Sequence, residues 1–210
     1  MIIMGIDTAL DACSIALVRG GETLAHLSEA MQRGQAERIA PMARAAMATA
    51  GIAFSEINRV GVTVGPGSFT GVRVGLAFAR GLALALSVPC LGVSTLEALA
   101  LAQGADGLRG GVIATPGALY GALYKAGAVV IAPKRFETIE ESAAAFAAAA
   151  AGRSFSLAGP GAAALAATID NAEARERAAA DAAFLAKHAA SLDPAAHPPG
   201  PQYLRAALLT

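Results

Sequence analysis

The sequence predicts an α/β protein of two related lobes, each ordered strand–strand–strand–helix–strand–helix. Three short strand-like segments open the chain, two long segments with helical apolar periodicity follow, and the same order returns after a break near Gly104–Gly110. The 210 residues suffice for one large domain or two small ones with a real core.

Composition narrows the function. With 16 basic and 16 acidic residues the formal charge is zero, and only three of the bases are lysine. That argues against gripping a nucleic-acid backbone by charge alone. The chain is 55% hydrophobic, much of it alanine, which supplies 24 of the 50 residues from Glu141 to Ala190. The longest uncharged stretches, between Arg80 and Glu97 and between Arg153 and Asp170, are 16 residues each and contain Gly and Pro. Both fall short of the roughly 20 residues a spanning helix needs, so a soluble protein without a membrane role is expected. Asp7 arrives too early for a secretory leader, and Cys13 and Cys90 read as buried free thiols. The expected compartment is the reducing cytoplasm.

Ile2–Asp7 and Cys13–Val18 are apolar runs and Thr23–Ser28 alternates, with links short enough for an antiparallel meander. A helix over about 34–50 follows from Ile39, Met42, Ala43, Ala46, Met47 and Ala50 at helical spacing, with Pro41 implying a kink or a late start. Val60–Val64 is a buried strand, Gly65–Gly71 a glycine-rich turn, and residues 69–87 a second long helix leading to a strand at Cys90–Val93. Ser94-Thr-Leu-Glu97 and Thr138-Ile-Glu-Glu141 each have the form of a capping box opening a helix. Strands over Val112–Thr115, Ala118–Lys125 and Ala128–Ala132 lie between those helices. The organisation read from this is a first lobe over 1–104, a second over 105–192, and a proline-rich connector and tail over 193–210 that packs back on the first lobe.

Asp7, Thr8, Gly65, Gly67, Ser68 and Thr70 form a candidate nucleotide or anion site. A strand, a glycine turn and a helix start bring free amides together. The turn lacks the GxxxxGK[ST] lysine, and its spacing is GxGxxxG, not the dinucleotide GxGxxG. It reads equally as a tight turn capped by Ser68, with Asp7 pinning its own turn. The second lobe offers Thr115, not an acid, at the equivalent strand end, which disfavours a solo ATPase. His26, His188 and His197 have no metal-ligand spacing, no GxSxG is present, and no catalytic constellation, metal site or cofactor is expected. In the second long helix Gly71, Gly75, Ala79 and Ala83 recur every four residues beside Val74, Phe78 and Leu82. Such a stripe admits a close helix neighbour, either the lobe's own sheet or a partner subunit. The first helix carries a matching stripe of Ile39, Met42, Ala46 and Met47.

Ile6-Asp-Thr-Ala9, Cys13-Ser-Ile-Ala-Leu17, Arg38-Ile-Ala-Pro-Met42, Gly65-Pro-Gly-Ser-Phe-Thr-Gly-Val-Arg-Val-Gly75, Gly81-Leu-Ala83, Gly92-Val-Ser-Thr-Leu96 and Tyr203-Leu-Arg205 together resemble the TsaB (YeaZ) family. The match is dense over residues 1–100 and thin between Ala105 and Pro199. The resemblance implies an actin-like, sugar-kinase-type (ASKHA) fold with a reduced second lobe. It implies a non-catalytic scaffold subunit that pairs with TsaD, which transfers threonylcarbamoyl to N6 of adenosine at position 37 of tRNAs reading ANN codons. TsaE joins that pair, tRNA is met only through the complex, and the chain alone forms a homodimer through the same surface. This tips the two stripes, Ile39, Met42, Ala46, Met47 and Gly71, Val74, Gly75, Phe78, Ala79, Leu82, towards a partner interface. The alternative is a degenerate ATPase with weak nucleotide binding at the Gly65–Gly71 turn. A protease role is disfavoured. TsaD carries a metal-binding HxxxH where this chain has Thr95 and Leu99, and the family's usual histidine at the first helix start is Gln35 here. The family's Asp-Ala-Arg and Gly-Glu-Val-Tyr are replaced by Ala114-Thr-Pro-Gly-Ala-Leu-Tyr120, which weakens any role of the second lobe in holding tRNA or nucleotide.

Overall fold

A computed structural model describes residues 1–104 and 106–204. They form two units, Met1–Val93 with Ala179–Pro201, and Ser94–Ala178 with residues 202–204.

In the first unit, β1 (Ile2–Asp7), β2 (Ala12–Arg19) and β3 (Glu22–Ala30) make an antiparallel meander. Then β4 (Ile57–Thr63) pairs parallel to β1 and β5 (Cys90–Val93) parallel to β4, giving the order β3-β2-β1-β4-β5. Between these strands run α1 (Gln35–Ala50), which continues through Pro41, and α2 (Phe69–Leu86). The alternation of β1 sorts the two faces of the sheet. Ile2, Met4 and Ile6 join the core under α1 and α2, while Ile3 packs with Ala186 and Ala189 of a late helix.

The second unit opens with the short helix α3 (Thr95–Leu101) and repeats the plan. The meander is β6 (Leu108–Thr115), β7 (Ala118–Lys125) and β8 (Ala128–Phe136), followed by α4 (Ile139–Ala150), β9 (Phe155–Ala158), α5 (Ala162–Ala166) and β10 (Ala172–Arg175). The sheet order is β10-β9-β6-β7-β8, with β6, β9 and β10 parallel. Phe136, Phe146 and Phe155 centre its core. The Thr138 cap forms as expected, accepting from the Glu141 N–H at 3.1 Å. Glu141 reaches one residue further back than a closed box requires, to the Glu137 N–H.

The structure divides the chain at Val93/Ser94 where the sequence pattern placed the break at 104/105, and residues 179–201 return to the first unit. The reason is α6 (Ala182–Ala189), which covers the second face of the first sheet. Ala182, Leu185, Ala186 and Ala189 are all buried there. Glycines at 5 and 61 permit this contact, because a Cβ on Gly5 would overlap the Ala182 carbonyl and one on Gly61 would lie 2.9 Å from the Ala189 methyl. The proline-rich stretch then borders β5, where the Gly92 N–H donates to the His197 carbonyl at 2.9 Å. Of the expected tail motif, Arg205 and the residues after it lie outside the described residues, as does Ala105. Among the described helices, α2 alone is long and apolar enough to cross a membrane by length and composition; it carries Arg73 and Arg80.

Candidate functional site

The residues picked as a nucleotide or anion site do come together, at the end of β1. Asp7 is fully buried, and its Oδ1 accepts from Thr63 Oγ1 at 2.6 Å and from the Ala9 N–H at 3.2 Å. Its Oδ2 is buried without a hydrogen bond of normal geometry. Burial pushes the Asp7 carboxyl up to about 6, against the opposing pull of the donors from Thr63, Ala9 and Ala180. Thr8 is buried too, donating from Oγ1 to the Gly71 carbonyl at 2.7 Å.

The glycine turn is closed by the chain's own backbone. A Cβ on Gly67 would overlap the Ala9 carbonyl and one on Gly71 the Thr8 carbonyl. The Ser68 N–H donates to the Ala9 carbonyl at 2.7 Å, and Ser68 Oγ caps α2 by accepting from the Gly71 N–H. The close approach that glycine would give a phosphate is therefore taken by the β1–β2 connection. Thr70 is exposed on the first turn of α2, and Gly65 is buried. These residues build a strand-to-helix junction, and as arranged they do not fit a nucleotide.

The two stripes read as a partner surface divide differently. Ile39, Met42, Ala46 and Met47 are buried under α1, and Gly71, Gly75 and Ala79 are buried under α2. A Cβ on Gly75 would overlap Thr8 Oγ1. These seven belong to the lobe's own core, because helical periodicity reports the buried face whichever surface covers it. Only Val74, Phe78 and Leu82 stay half-buried at the margin of that core. The outer face of α2 carries a second small-residue line that the sequence reading passed over: Ala77, Gly81 and Ala85, all exposed. Beside it Leu84 is 82% exposed, and a Cβ on Gly81 would meet nothing within 4 Å. Phe69, 57% exposed, lies under the Arg73 guanidinium at 3.5 Å.

Thr95 and Leu99, at the positions where the resemblance puts the HxxxH histidines of TsaD, are fully buried in the second unit and supply no imidazole or carboxylate, so the residues present do not fit a metal. Gln35 is buried and donates to the Met31 carbonyl at 3.2 Å, anchoring the start of α1. Burial pushes the Cys13 and Cys90 thiols up to about 11, which leaves them poor nucleophiles.

One grouping escaped the sequence. Ser14 Oγ lies 3.3 Å from His26 Nε2, and Asp181 Oδ1 lies 4.0 Å from the same nitrogen. A relay would need the carboxylate on the other ring nitrogen. Asp181 instead caps α6, accepting from the Ala183 and Phe184 N–H groups. No local signal links position 181 to position 26, because their meeting depends on the return of α6.

Residues 27–210 match the family model described as TsaD, tRNA N6-adenosine threonylcarbamoyltransferase. The tRNA threonylcarbamoyladenosine biosynthesis protein TsaB of Escherichia coli (strain K12) is 47% identical over 105 residues, half of this chain and 44% of that protein. The chain spans about half the length of the curated relatives it matches. Among solved structures, YeaZ from Pseudomonas aeruginosa superposes with a TM-score of 0.76 at 24% identity, covering 97% of this chain and 99% of that one. The ethanolamine utilization protein EutJ from Carboxydothermus hydrogenoformans reaches 0.50 at 12% identity over 89% of each chain. The fold is the actin-like, sugar-kinase type that the motifs implied.

Proposed function

From the premise that this chain belongs to the tRNA N6-adenosine threonylcarbamoyltransferase (TsaD) family, and within it to the TsaB (YeaZ) group, we propose that it is a non-catalytic scaffold subunit in tRNA threonylcarbamoyladenosine biosynthesis. In this reading it pairs with TsaD in the cytoplasm, TsaE joins the pair, and tRNA is met through the assembly. Alone, the chain self-associates through the same surface.

The observation that carries the proposal is the outer face of α2. Ala77, Gly81 and Ala85 form a groove floor for a second helix, and Phe78, Leu82 and the 82% exposed Leu84 supply apolar walls. The sealed junction around Asp7 supports a structural part for the residues that an actin-like ATPase would use on nucleotide.

Light scattering on a sizing column tests this with the chain alone and mixed with TsaD from the same source. A one-to-one complex is expected to replace a self-dimer. Gly81→Leu fills open space without touching the core, so it is expected to keep the fold and weaken pairing at least about tenfold. Wild-type pairing by that variant overturns the surface assignment, and no complex with the wild type overturns the partner.

A further inference from the structure

The displayed face of α2 carries charge as well as a groove. Arg73 and Arg80 are seven residues apart, which puts them on one line of the helix about 10 Å from each other. Ala77 and Leu84 continue that line at spacings of three and four, and all four residues are exposed. The floor formed by Ala77, Gly81 and Ala85 runs beside the arginines. α2 contains no acidic residue. Next to it α1 packs over the same face of the sheet, and there Arg38 and Arg44 stand against Glu37 alone. This helix layer therefore holds four arginines and one acid, in a chain whose totals are 16 and 16.

The four arginines are not equally engaged. Arg38 pairs with Glu29 of β3, its Nε donating to Oε2 at 2.7 Å, and Arg73 lies over the Phe69 ring. Arg44 and Arg80 make no ion pair among the described residues. Three kinds of occupant respond differently to this surface. A second copy of the chain brings the same patch, and an isologous contact gathers four arginines from the two α2 helices with no α2 acid to answer them. Like charges brought together at a contact cost affinity. A nucleic-acid backbone would answer the arginines but leave Leu84, 82% exposed, without an apolar neighbour. A protein helix with carboxylates flanking an apolar ridge satisfies both parts of the face.

On the pairing with TsaD put forward above, we propose that this face selects its partner by charge: it takes a TsaD helix that presents acidic side chains to Arg73 and Arg80, and it disfavours a second copy of itself. The self-pair is then the weaker of the two. The electrostatic screening length falls from about 10 Å at 0.1 M salt to about 3 Å at 1 M. Added salt therefore removes an attraction from one pairing and a repulsion from the other, and the two affinities move in opposite directions.

Sedimentation of the full chain, alone and with TsaD, at about 0.05 M and about 0.5 M NaCl reads this directly. Over that range TsaD pairing is expected to weaken at least about tenfold, while self-pairing strengthens about threefold. Arg80→Glu changes an exposed side chain and leaves the fold intact. At low salt it is expected to weaken TsaD pairing at least about tenfold and to strengthen self-pairing, because the carboxylate introduced at position 80 can face Arg73 of the other copy. Arg80→Gln is expected to flatten both salt responses. A TsaD complex indifferent to salt and to Arg80→Glu overturns the charge selection and leaves the pairing standing. Self-pairing that weakens with salt overturns it as well. So does tRNA binding by the chain alone that Arg80→Glu abolishes, which would assign the arginines to a phosphate backbone. The absence of any TsaD complex at either salt overturns the pairing itself, and this inference with it.

Discussion

The two lobes share one plan and differ in what they can display. Each sheet places its three-strand meander on one side and its two later parallel strands on the other, β3-β2-β1-β4-β5 and β8-β7-β6-β9-β10. Each fourth strand is followed by Gly-Pro-Gly, residues 65–67 and 159–161. In both lobes the turn is pressed against the end of the first strand: Ser68 N–H donates to the Ala9 carbonyl, and Ala114 N–H donates to the Pro160 carbonyl, both at 2.7 Å. The helices that follow differ. α2 has 18 residues and α5 has five. A helix of about 27 Å can bury one stripe and present another, whereas little more than one turn can only close its end of the sheet. The shared turn fixes the crossing, and helix length decides which lobe has a face to offer.

The sharpest way to break the comparison is to fill the junctions. In Gly71→Val the new Cβ overlaps the Thr8 carbonyl, and in Gly159→Val it overlaps the Val112 carbonyl at a φ of +123°. Backbone cannot yield as a flexible side chain would, so each is expected to cost more than about 4 kcal/mol or to prevent folding, read by urea denaturation. Gly75→Leu overlaps the buried Thr8 side chain at Oγ1 and is expected to destabilise the fold as well. Gly81→Ala on the open face is expected to raise stability by up to about 1 kcal/mol. Equal losses at 71 and 81 would erase the distinction between buried and displayed stripes.

The first-strand ends differ in charge as well, and pH exposes it. Asp7 closes β1, while Thr115 closes β6 and donates to the Ala118 carbonyl. The Asp7 carboxyl is raised from its ordinary 3.8 to about 6, so its contribution to stability is fully present below about pH 4 and is lost as pH rises through about 6. Asp7→Asn keeps an oxygen for Thr63 and Ala9 and removes that loss. Relative to wild type it is expected to gain about 2–3 kcal/mol between pH 4 and pH 7, seen as converging urea midpoints in acid. A pH-independent difference would mean that the carboxyl does not titrate in its folded surroundings.

What was legible in the sequence follows from locality. The meanders, both long helices and the Thr138 cap rest on neighbours in the chain, and strand alternation or helical spacing displays them. The faces of α2 were misassigned because one period describes core and interface alike; Gly71 and Gly81 differ only in what lies opposite, Thr8 or open space. The element order predicted a strand and a helix after α4, but alanine, which fits strand and helix without a periodic signal, hid the bounds of α5 and β10. Gly159-Pro-Gly161 was the missed clue, since it repeats Gly65-Pro-Gly67 in an identical topological place. The return of α6 to the first sheet had no local signature at all. Its enabling residues, Gly5 and Gly61, read only as breaks in apolar strands.

That return gives the smallest test. Two arginines cap helix C-termini, one in each unit. Arg153 follows α4 in sequence and donates from Nε to the Ala150 carbonyl at 2.9 Å. Arg59 sits on β4, far from α6 in the chain, and its Nη1 donates to the carbonyls of Ala189 at 2.7 Å and Leu192 at 2.9 Å. Both satisfy carbonyls that a helix end leaves open. Only Arg59 also ties a returning segment to the sheet, so its loss adds freedom that Arg153 never restrained. Arg59→Ala is expected to cost about 1–2 kcal/mol and to speed amide exchange along α6, while Arg153→Ala stays near 0.5 kcal/mol or roughly below with α4 exchange unchanged. Equal costs and unchanged α6 exchange would mean that α6 is held by its buried Ala182–Ala189 face alone. The two caps would then be equivalent despite the difference in chain separation.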